Sequence, residues 1–208
     1  MNARKAVLAA LACTAMLVAA ACSDETAGSA ERDGADNGQQ SEDLPHSGAP
    51  AVGDPIEDLS TFEDDMCRVL RDDQLEQLPV HVSEAEPGYL DTVGPKCSWR
   101  TESRSESFGA YLVTGNPEGL SHVYAQDAEG LFEYFEELDP VVGHPAVAAN
   151  YNDDRKDGYC TVDVGLRDEL HFYVAMSAVD DSSPYHDDPC GAAYEIAELV
   201  VETMKGDG

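Results

Sequence analysis

The spacing of apolar residues changes along the chain between a helical period and a strand period, and these changes predict three helices and five strands. The first helix is predicted over residues 63–79, which begin with acidic residues and end with a proline. Its apolar positions are Met66, Leu70, Leu75 and Leu78. Two strands are predicted to follow, over residues 96–102 and 106–115, because apolar side chains alternate there between short polar breaks.

The second half of the chain repeats this arrangement. A helix is predicted over residues 120–138, although Gly130 weakens the pattern. Residues 143–178 alternate apolar and polar positions and predict a meander of three strands. The last helix has the clearest ends, with Asp188 as its N-cap and Pro189 at its first position. Its apolar stripe consists of Ala193, Ile196, Ala197, Val200 and Met204.

The predicted order, α-β-β-α-β-β-β-α, indicates an α+β fold in which helices cover an antiparallel β-sheet. Apolar patterning begins near Ile56 and continues to Met204, so about 150 residues are available for one hydrophobic core. No repeat with a period of about 20 to 50 residues is visible in the sequence. We therefore predict a single domain over residues 58–208.

Residues 1–21 have the composition of a signal peptide. Arg4 and Lys5 precede an uncharged run that is shorter than the roughly 20 apolar residues of a membrane-spanning helix. Three alanines then stand directly before Cys22, an arrangement that resembles bacterial lipoprotein signal peptides. This resemblance implies that Cys22 carries a diacylglyceryl-type lipid at the mature N terminus. An ordinary secretory cleavage is the alternative.

Residues 22–57 are predicted to form a disordered tether. They are rich in Gly, Ala, Ser and acidic residues and contain no aromatic residue. A flexible chain of this length spans roughly 30 Å root-mean-square. Two or more acyl chains anchor a protein stably, so a lipid on Cys22 would hold the domain at the membrane without an apolar surface patch.

The charge of the chain restricts its partners. It carries 42 acidic and 12 basic residues, a formal net charge of −30, and every acidic residue follows the predicted signal peptide. Nucleic acid is excluded as a partner because its binding requires Lys and Arg to neutralise phosphates. An electrostatic contact with an anionic membrane is also disfavoured, so a covalent lipid is the expected link to the membrane.

Four cysteines other than Cys13 and Cys22 lie in the predicted domain. They are Cys67, Cys97, Cys160 and Cys190. An even number in an exported domain predicts two disulfides, and no spacing among the four fits common zinc sites. Pairing Cys67 with Cys97 and Cys160 with Cys190 is favoured, because each bridge would join a helix to a nearby strand with equal spacing. Nested pairing, Cys67 with Cys190 and Cys97 with Cys160, remains open.

Five short motifs are distributed along the domain. They are DDMCRVL, KCSWR, VVGHPAV, GYCTVDVG and DPCGAAYEIAELV. In order and spacing they resemble the actinobacterial secreted lipoproteins grouped as domain of unknown function 3558, and the similarity covers roughly residues 58–204. The resemblance implies an envelope lipoprotein of a Gram-positive, high-GC bacterium, and it carries over no catalytic residues.

The sequence contains no recognisable catalytic or cofactor motif. The nucleophile elbow, the zinc-protease helix, the phosphate-binding glycine loop and C-x-x-C are all absent. His144 and Trp99 are expected to be structural, Trp99 by packing on a disulfide. The acidic segments 152–158 and 180–189 do not fit the EF-hand pattern and are expected to form a hairpin turn and a helix cap. We therefore expect no catalytic residue, metal or cofactor.

These observations favour a non-enzymatic binding or interaction module, lipid-anchored at the outer face of the cytoplasmic membrane, with an unknown envelope ligand or protein as partner. Two alternatives remain open. An envelope enzyme with an unrecognised site would have a pocket that joins two carboxylates or a histidine and a carboxylate. A structural envelope component would have no ligand that shifts its stability.

Overall fold

The computed structural model describes residues 43–206. Its strands are β1 (Val82–Leu90), β2 (Gly94–Thr101), β3 (Glu106–Val113), β4 (Tyr134–Val141), β5 (His144–Asn150), β6 (Tyr159–Arg167) and β7 (Leu170–Ala178). Its α-helices are α1 (Ser60–Asp64), α2 (Asp72–Leu75), α3 (Leu120–Ala128) and α4 (Pro189–Met204), and 3-10 turns lie at Met66–Val69 and Arg155–Asp157. The strands form one antiparallel sheet in the order β1-β2-β3-β7-β6-β5-β4. The predicted α+β fold is confirmed.

One face of this sheet, which we call the closed face, holds the main core. Helix α4 and residues 56–80 pack against it. Alternate strand residues point into this core because side chains of a strand face opposite sides in turn. The buried closed-face residues of the central strands include Trp99, Phe108, Leu112, Val162, Val164, Phe172 and Val174. Burying a large apolar side chain contributes about 1.5 to 3 kcal/mol, so this face supplies most of the stability.

The opposite face, which we call the open face, is covered only in part. Helix α3 packs there against β5 and β4 through Leu120, Val123 and Tyr124, which form a second apolar cluster with Val147 and Ala149. The side chains over β2, β3 and β7 carry no helix above them among the described residues. A concave surface therefore remains beside α3.

Both disulfides have the favoured pairing. Cys67 is bonded to Cys97 and Cys160 to Cys190, with Cα separations of 4.8 and 5.0 Å. The first bridge joins the turn at Met66–Val69 to β2, and the second joins β6 to α4. The bridges therefore fasten the helical layer to the closed face at two places, and the nested pairing is excluded.

Helix α4 has the predicted ends. The Asp188 carboxylate accepts a hydrogen bond from the Gly191 N–H at 2.9 Å, which caps the first turn, and Pro189 occupies the first helical position. The residues of the predicted apolar stripe, from Ala193 to Met204, are buried against the sheet.

The prediction of one helix over residues 63–79 is wrong. This segment contains the last turn of α1, a 3-10 turn and α2, with extended backbone at Asp65 and Leu70 between them. The Asp65 side chain accepts a hydrogen bond from the Cys67 N–H at 3.0 Å. A short acidic side chain that bonds nearby N–H groups competes with continuous helix, and this one begins a new turn at the half-cystine.

The predicted helix over residues 120–138 ends ten residues early, at Ala128. Gly130 adopts the left-handed backbone conformation that closes helices, with φ of 73°. Residues 134–141 instead form β4, because Tyr134 and Leu138 pack on the main core while Phe135 packs on the second cluster. The sequence also does not predict β1, so the sheet has seven strands rather than five.

Residues 43–57, the last part of the predicted tether, lie against the domain. Ala49 and Ile56 are buried, and the Ile56 N–H donates to the Leu166 carbonyl at 3.1 Å. The Val52 N–H donates to the Asp168 carboxylate at 2.8 Å. Ordered contacts therefore begin before residue 58. The predicted signal peptide, the lipidation residue Cys22 and the first part of the tether lie outside the described residues.

No helix within residues 43–206 combines the length and the apolar character needed to cross a membrane.

Candidate functional site

The open face carries a row of side chains that runs across the central strands. The register places Lys96 on β2 opposite Tyr111 on β3, Tyr111 opposite Tyr173 on β7, and Tyr173 opposite Asp163 on β6. Asp163 in turn lies opposite Val147, which is under α3. From β2 towards the helix, the row therefore contains a lysine, two tyrosines, an aspartic acid and an apolar valine.

A cleft of about 510 Å³ lies where this row meets α3. Strand β6 contributes Thr161 and Asp163, strand β7 contributes His171 and Tyr173, and α3 contributes His122 and Gln126. The loops after β1, β3 and β5 complete its rim. The volume lies within the range of about 300 to 1,000 Å³ that is typical of small-molecule sites.

Asp163 and His171 form a buried pair in this cleft. The carboxylate oxygen lies 3.5 Å from His171 Nε2, and the two side chains are 9% and 4% exposed. Burial raises the pKa of Asp163 to about 8. Burial, with repulsion between the protonated forms of His171 and His122, lowers the pKa of His171 to about 3. Both shifts favour an uncharged pair at neutral pH, in which the Asp163 carboxyl can donate its proton to His171 Nε2.

This protonation state determines what the other nitrogen of His171 can do. When Nε2 accepts the carboxyl proton, the neutral imidazole carries its own proton on Nδ1. If the proton shifted to give an ion pair, Nδ1 would still carry a proton, so it is a donor in both states with no net charge. Nδ1 is buried and has no hydrogen-bond partner within residues 43–206. Leaving a buried donor without a partner costs folding free energy, so an acceptor bound in the cleft would be favourable.

Aromatic rings line two sides of the cleft. Tyr173 stacks on Tyr111 with a centroid distance of 4.5 Å and an interplanar angle of 10°. Tyr111 can lie flat at this point because Gly109 lacks a side chain; a Cβ there would come within 2.7 Å of the Tyr111 ring. The stacking on Tyr111 thus fixes the orientation of the Tyr173 ring. On the other side, the rings of Phe132 and Tyr151 have a centroid distance of 4.9 Å.

Three amide side chains of the rim are oriented by the protein. The Asn116 carbonyl oxygen accepts from the Glu118 N–H at 3.0 Å, and the Asn150 oxygen accepts from the Thr161 N–H at 3.0 Å. The Gln126 oxygen accepts from the Tyr151 hydroxyl at 3.4 Å. Each oxygen therefore accepts one hydrogen bond from the protein, which orients the amide. The Asn150 NH₂ group donates to Cys160 Sγ at 3.6 Å, so among residues 43–206 the rim amides with an available NH₂ group are Asn116 and Gln126.

The residues that the sequence singles out lie elsewhere. His144 is fully buried beneath the turn between β4 and β5, where its Nδ1 lies 2.8 Å from the Gly165 carbonyl oxygen. Burial lowers the pKa of His144, so the ring is neutral. Trp99 is buried on the closed face, stacks on Phe108 with a centroid distance of 5.4 Å and belongs to the same core cluster as the half-cystine Cys97. Both side chains are buried, and the packing of Trp99 on a disulfide stays a prediction.

The two acidic segments form the predicted turn and cap. Residues 152–158 connect β5 to β6 through the turn at Arg155–Asp157, and Gly158 has a φ of 83°. The second segment ends in the Asp188 cap of α4. Within residues 43–206, no group of three His, Cys, Asp or Glu side chains is placed to hold a metal ion.

Sequence reasoning missed the pair in the cleft. Asp163 and His171 stand at polar positions of two alternating strands, which is also where solvent-facing residues stand. The signal that could have found them is that both fall on the same face of neighbouring strands of the predicted meander. A histidine and a carboxylate that share a sheet face deserve to be tested as a pair.

Comparison with protein families gives one match. The chain matches the family described as "Protein of unknown function (DUF3558)" over residues 17–203. No curated protein and no solved structure matches the chain. The match spans all the described strands and nearly all of α4, and it confirms the family, domain of unknown function 3558, that the five motifs indicate. The chain belongs to the DUF3558 family.

Proposed function

We propose that this protein is a lipid-anchored cell-envelope lipoprotein whose domain binds a small-molecule ligand in the cleft between α3 and the open face of the sheet. One observation carries the binding part of the proposal. The Nδ1 of His171 is a buried donor that has no partner in the described part of the chain, and it lies in a cleft of small-molecule size. A bound acceptor would remove the cost of leaving this donor unsatisfied.

The chemistry of the lining supports a dedicated site. The chain carries 42 acidic residues, yet only Asp154 and Asp163 line the cleft, and Asp163 is protonated at neutral pH. Solvated surface on such a chain would be expected to carry more ionised carboxylates. Uncharged polar groups and aromatic rings, which orient ligands in small-molecule sites, are present instead.

Two observations support the envelope location. The small residues before Cys22 match a lipoprotein signal peptide, and two disulfides are typical of a domain that folds outside the cytoplasm. We propose an actinobacterial host and the outer face of the cytoplasmic membrane as the location. The domain would then meet its ligand in the envelope.

Mass spectrometry of the full chain expressed in an actinobacterial host tests the anchor. We expect a mature N terminus at Cys22 that carries acyl chains, and we expect the protein to fractionate with membranes. The substitution Cys22→Ala should abolish both, whereas Cys13→Ala, inside the signal peptide, should change neither. Release of an unacylated chain into the medium would establish ordinary secretion and contradict the proposed anchor.

Native mass spectrometry tests the binding function. The full chain is incubated with a small-molecule extract of the host envelope, and the mass of any retained ligand is recorded. We expect Tyr173→Leu to reduce retention, because it removes the ring that lines the cleft. Tyr89→Leu is the matched control, since Tyr89 is 64% exposed on the edge strand β1. Retention that is equal in both variants, or absent altogether, would contradict the proposal.

The Asp163–His171 pair also favours a second candidate function, an envelope enzyme. A carboxylic acid with a raised pKa can donate a proton, and Asp154 provides another carboxylate in the same cleft. The cleft lining contains no Ser or Cys, so acyl transfer through those nucleophiles is disfavoured. Turnover of chromogenic glycosides or esters that is lost in Asp163→Asn would establish this alternative in place of a binding module.

A further inference from the structure

We propose that the ligand of the cleft is a neutral saccharide, whose ring packs on Tyr173 and whose oxygen atoms accept hydrogen bonds from His171 and the rim amides. This inference rests on the proposed binding function and names the ligand class for the same site.

The first argument is the polarity of the hydrogen-bonding groups. Among residues 43–206, His171 Nδ1 has no hydrogen-bond partner, and the oxygens of Asn116 and Gln126 each accept from a protein donor. The NH₂ groups of those two amides have no protein acceptor among the same residues. Three groups with available donors therefore line one cleft. Its complement is a ligand rich in acceptor oxygens.

The second argument is charge. An acceptor-rich ligand is either an anion, such as a carboxylate or phosphate, or a neutral molecule that carries hydroxyl, ether or carbonyl oxygens. No Lys or Arg lines the cleft, whereas anion sites normally use them. The chain as a whole carries a formal net charge of −30, which repels anions. The observations therefore favour neutral oxygens.

The third argument is the aromatic lining. Tyr173 is fixed by its stacking on Tyr111, so its ring offers a flat apolar surface at little cost in conformational entropy. Phe132 and Tyr151 supply a second aromatic surface of the cleft. A sugar ring has a C–H face that packs on such a surface and a rim of hydroxyls that reach polar neighbours. A saccharide therefore satisfies all three features of the cleft together.

Saccharide binding by the full chain is measured by ligand-observed NMR and isothermal titration calorimetry. The probes are neutral mono- to tetrasaccharides of pentoses, hexoses and N-acetylhexosamines, with matched uronic acids and inorganic phosphate as anionic probes. We expect at least one neutral saccharide to bind and the anionic probes to bind at least tenfold more weakly.

Two isosteric variants test the donors. Gln126→Glu and Asn116→Asp keep the oxygen that accepts from the protein but replace the NH₂ donor with a carboxylate oxygen. Each should raise the Kd of the saccharide at least tenfold. The control is Gln77→Glu, which makes the same change at an exposed glutamine outside the cleft and should alter the Kd less than twofold.

Each contrary outcome has a separate meaning. Stronger binding of uronic acids or phosphate than of neutral sugars would overturn the saccharide class and leave the binding function in place. Failure of every probe, while an envelope extract still yields a ligand that depends on Tyr173, would overturn this inference alone. Failure of the probes and of the extract would overturn the proposed function as well. Equal effects of Gln126→Glu and Gln77→Glu would show that binding occurs outside the cleft and would overturn the inference.

Discussion

The two faces of the sheet use the same strands for different purposes. The closed face is apolar, covered by α4 and residues 56–80, and fastened by both disulfides. The open face carries tyrosines, amides and an ionisable pair, and α3 covers only part of it. Stability is concentrated on one side, so the other side can hold polar groups that would weaken a core. This separation is consistent with the proposed binding function.

Strand β7 shows the contrast between neighbouring residues. Phe172 points to the closed face and is fully buried, whereas Tyr173 points to the open face and lines the cleft. His171, which directly precedes Phe172, also faces the cleft. A change of one position along the chain therefore exchanges a structural role for a proposed binding role.

Substitutions at these two neighbours should produce the largest contrast. Phe172→Ala should lower the free energy of unfolding by about 3 to 5 kcal/mol, because it leaves a cavity in the main core. Tyr173→Leu should lower it by less than about 2 kcal/mol, because the ring is only half-buried. Denaturant unfolding measures both values.

If Phe172→Ala does not fold, Phe172→Leu provides a milder test, with a loss of about 1 to 1.5 kcal/mol. Equal losses at positions 172 and 173 would contradict the assignment of stability to the closed face.

Removal of either disulfide should produce the next largest effect. Each bridge has a sequence separation of 30 residues. The double substitutions Cys67→Ala/Cys97→Ala and Cys160→Ala/Cys190→Ala should each cost about 3 to 4 kcal/mol in the chain-entropy account. Thermal unfolding with and without the bridge measures the loss. A variant that keeps its stability but loses cleft binding would contradict the assignment of that bridge to the stability of the closed face.

The closed face is also the part of the fold that the sequence predicts best. The alternation of β6 and β7 and the capped start of α4 follow from local chemistry, and the structure has them as predicted. The equal spacing of the four cysteines favours the pairing that the structure has, although it leaves the nested pairing open. By contrast, most of β4 falls in the predicted helix 120–138, because Phe135 and Leu138 fit a helical spacing. In the structure Leu138 packs on the main core and Phe135 on the second cluster, and only the tertiary structure reveals this difference.

The cleft could not be predicted in the same way. Its available donors lie on α3 (Gln126), on β7 (His171) and in the loop after β3 (Asn116), and no two of them form a motif along the chain. Asp163 resembles a solvent-facing residue until the sheet order places it beside His171. Burial of the pair depends on α3 and the loops above it. Polar residues on the less covered face of a sheet therefore carry information that periodicity alone does not give.

The pH dependence of stability provides the third prediction and probes the open face. Burial raises the folded-state pKa of Asp163 to about 8, above its unfolded value of about 4. The folded protein retains a proton that the unfolded chain releases, so stability falls as the pH rises from about 4 to about 8. Asp163→Asn resembles the protonated acid and does not titrate, so it should not show this loss.

Denaturant unfolding at pH 5 and at pH 8.5 measures the effect. Relative to the wild type, Asp163→Asn should gain at least about 1 kcal/mol between the two pH values, since each pKa unit corresponds to about 1.4 kcal/mol. Asp154→Asn, at an exposed carboxylate of the same cleft, is the matched control and should gain little. The lowered pKa of His171 makes stability rise with pH between about 3 and 6.5, but His171 is present in both proteins, so this contribution cancels from the difference between them. A parallel pH dependence in wild type and Asp163→Asn would show that the carboxyl is ionised in the fold.

The smallest expected effect lies at the N-terminal cap of α4, at the border of the closed face. Asp188→Ala removes the side-chain cap that accepts from the Gly191 N–H and should cost about 1 kcal/mol of unfolding free energy. Asp188→Asn keeps an oxygen acceptor and should restore most of this loss, whereas Asp187→Ala, at the preceding exposed residue, should change stability by less than about 0.5 kcal/mol. Because α4 packs only on the closed face, none of the three should alter cleft binding, and a change in ligand affinity would show that the two faces are coupled through the sheet.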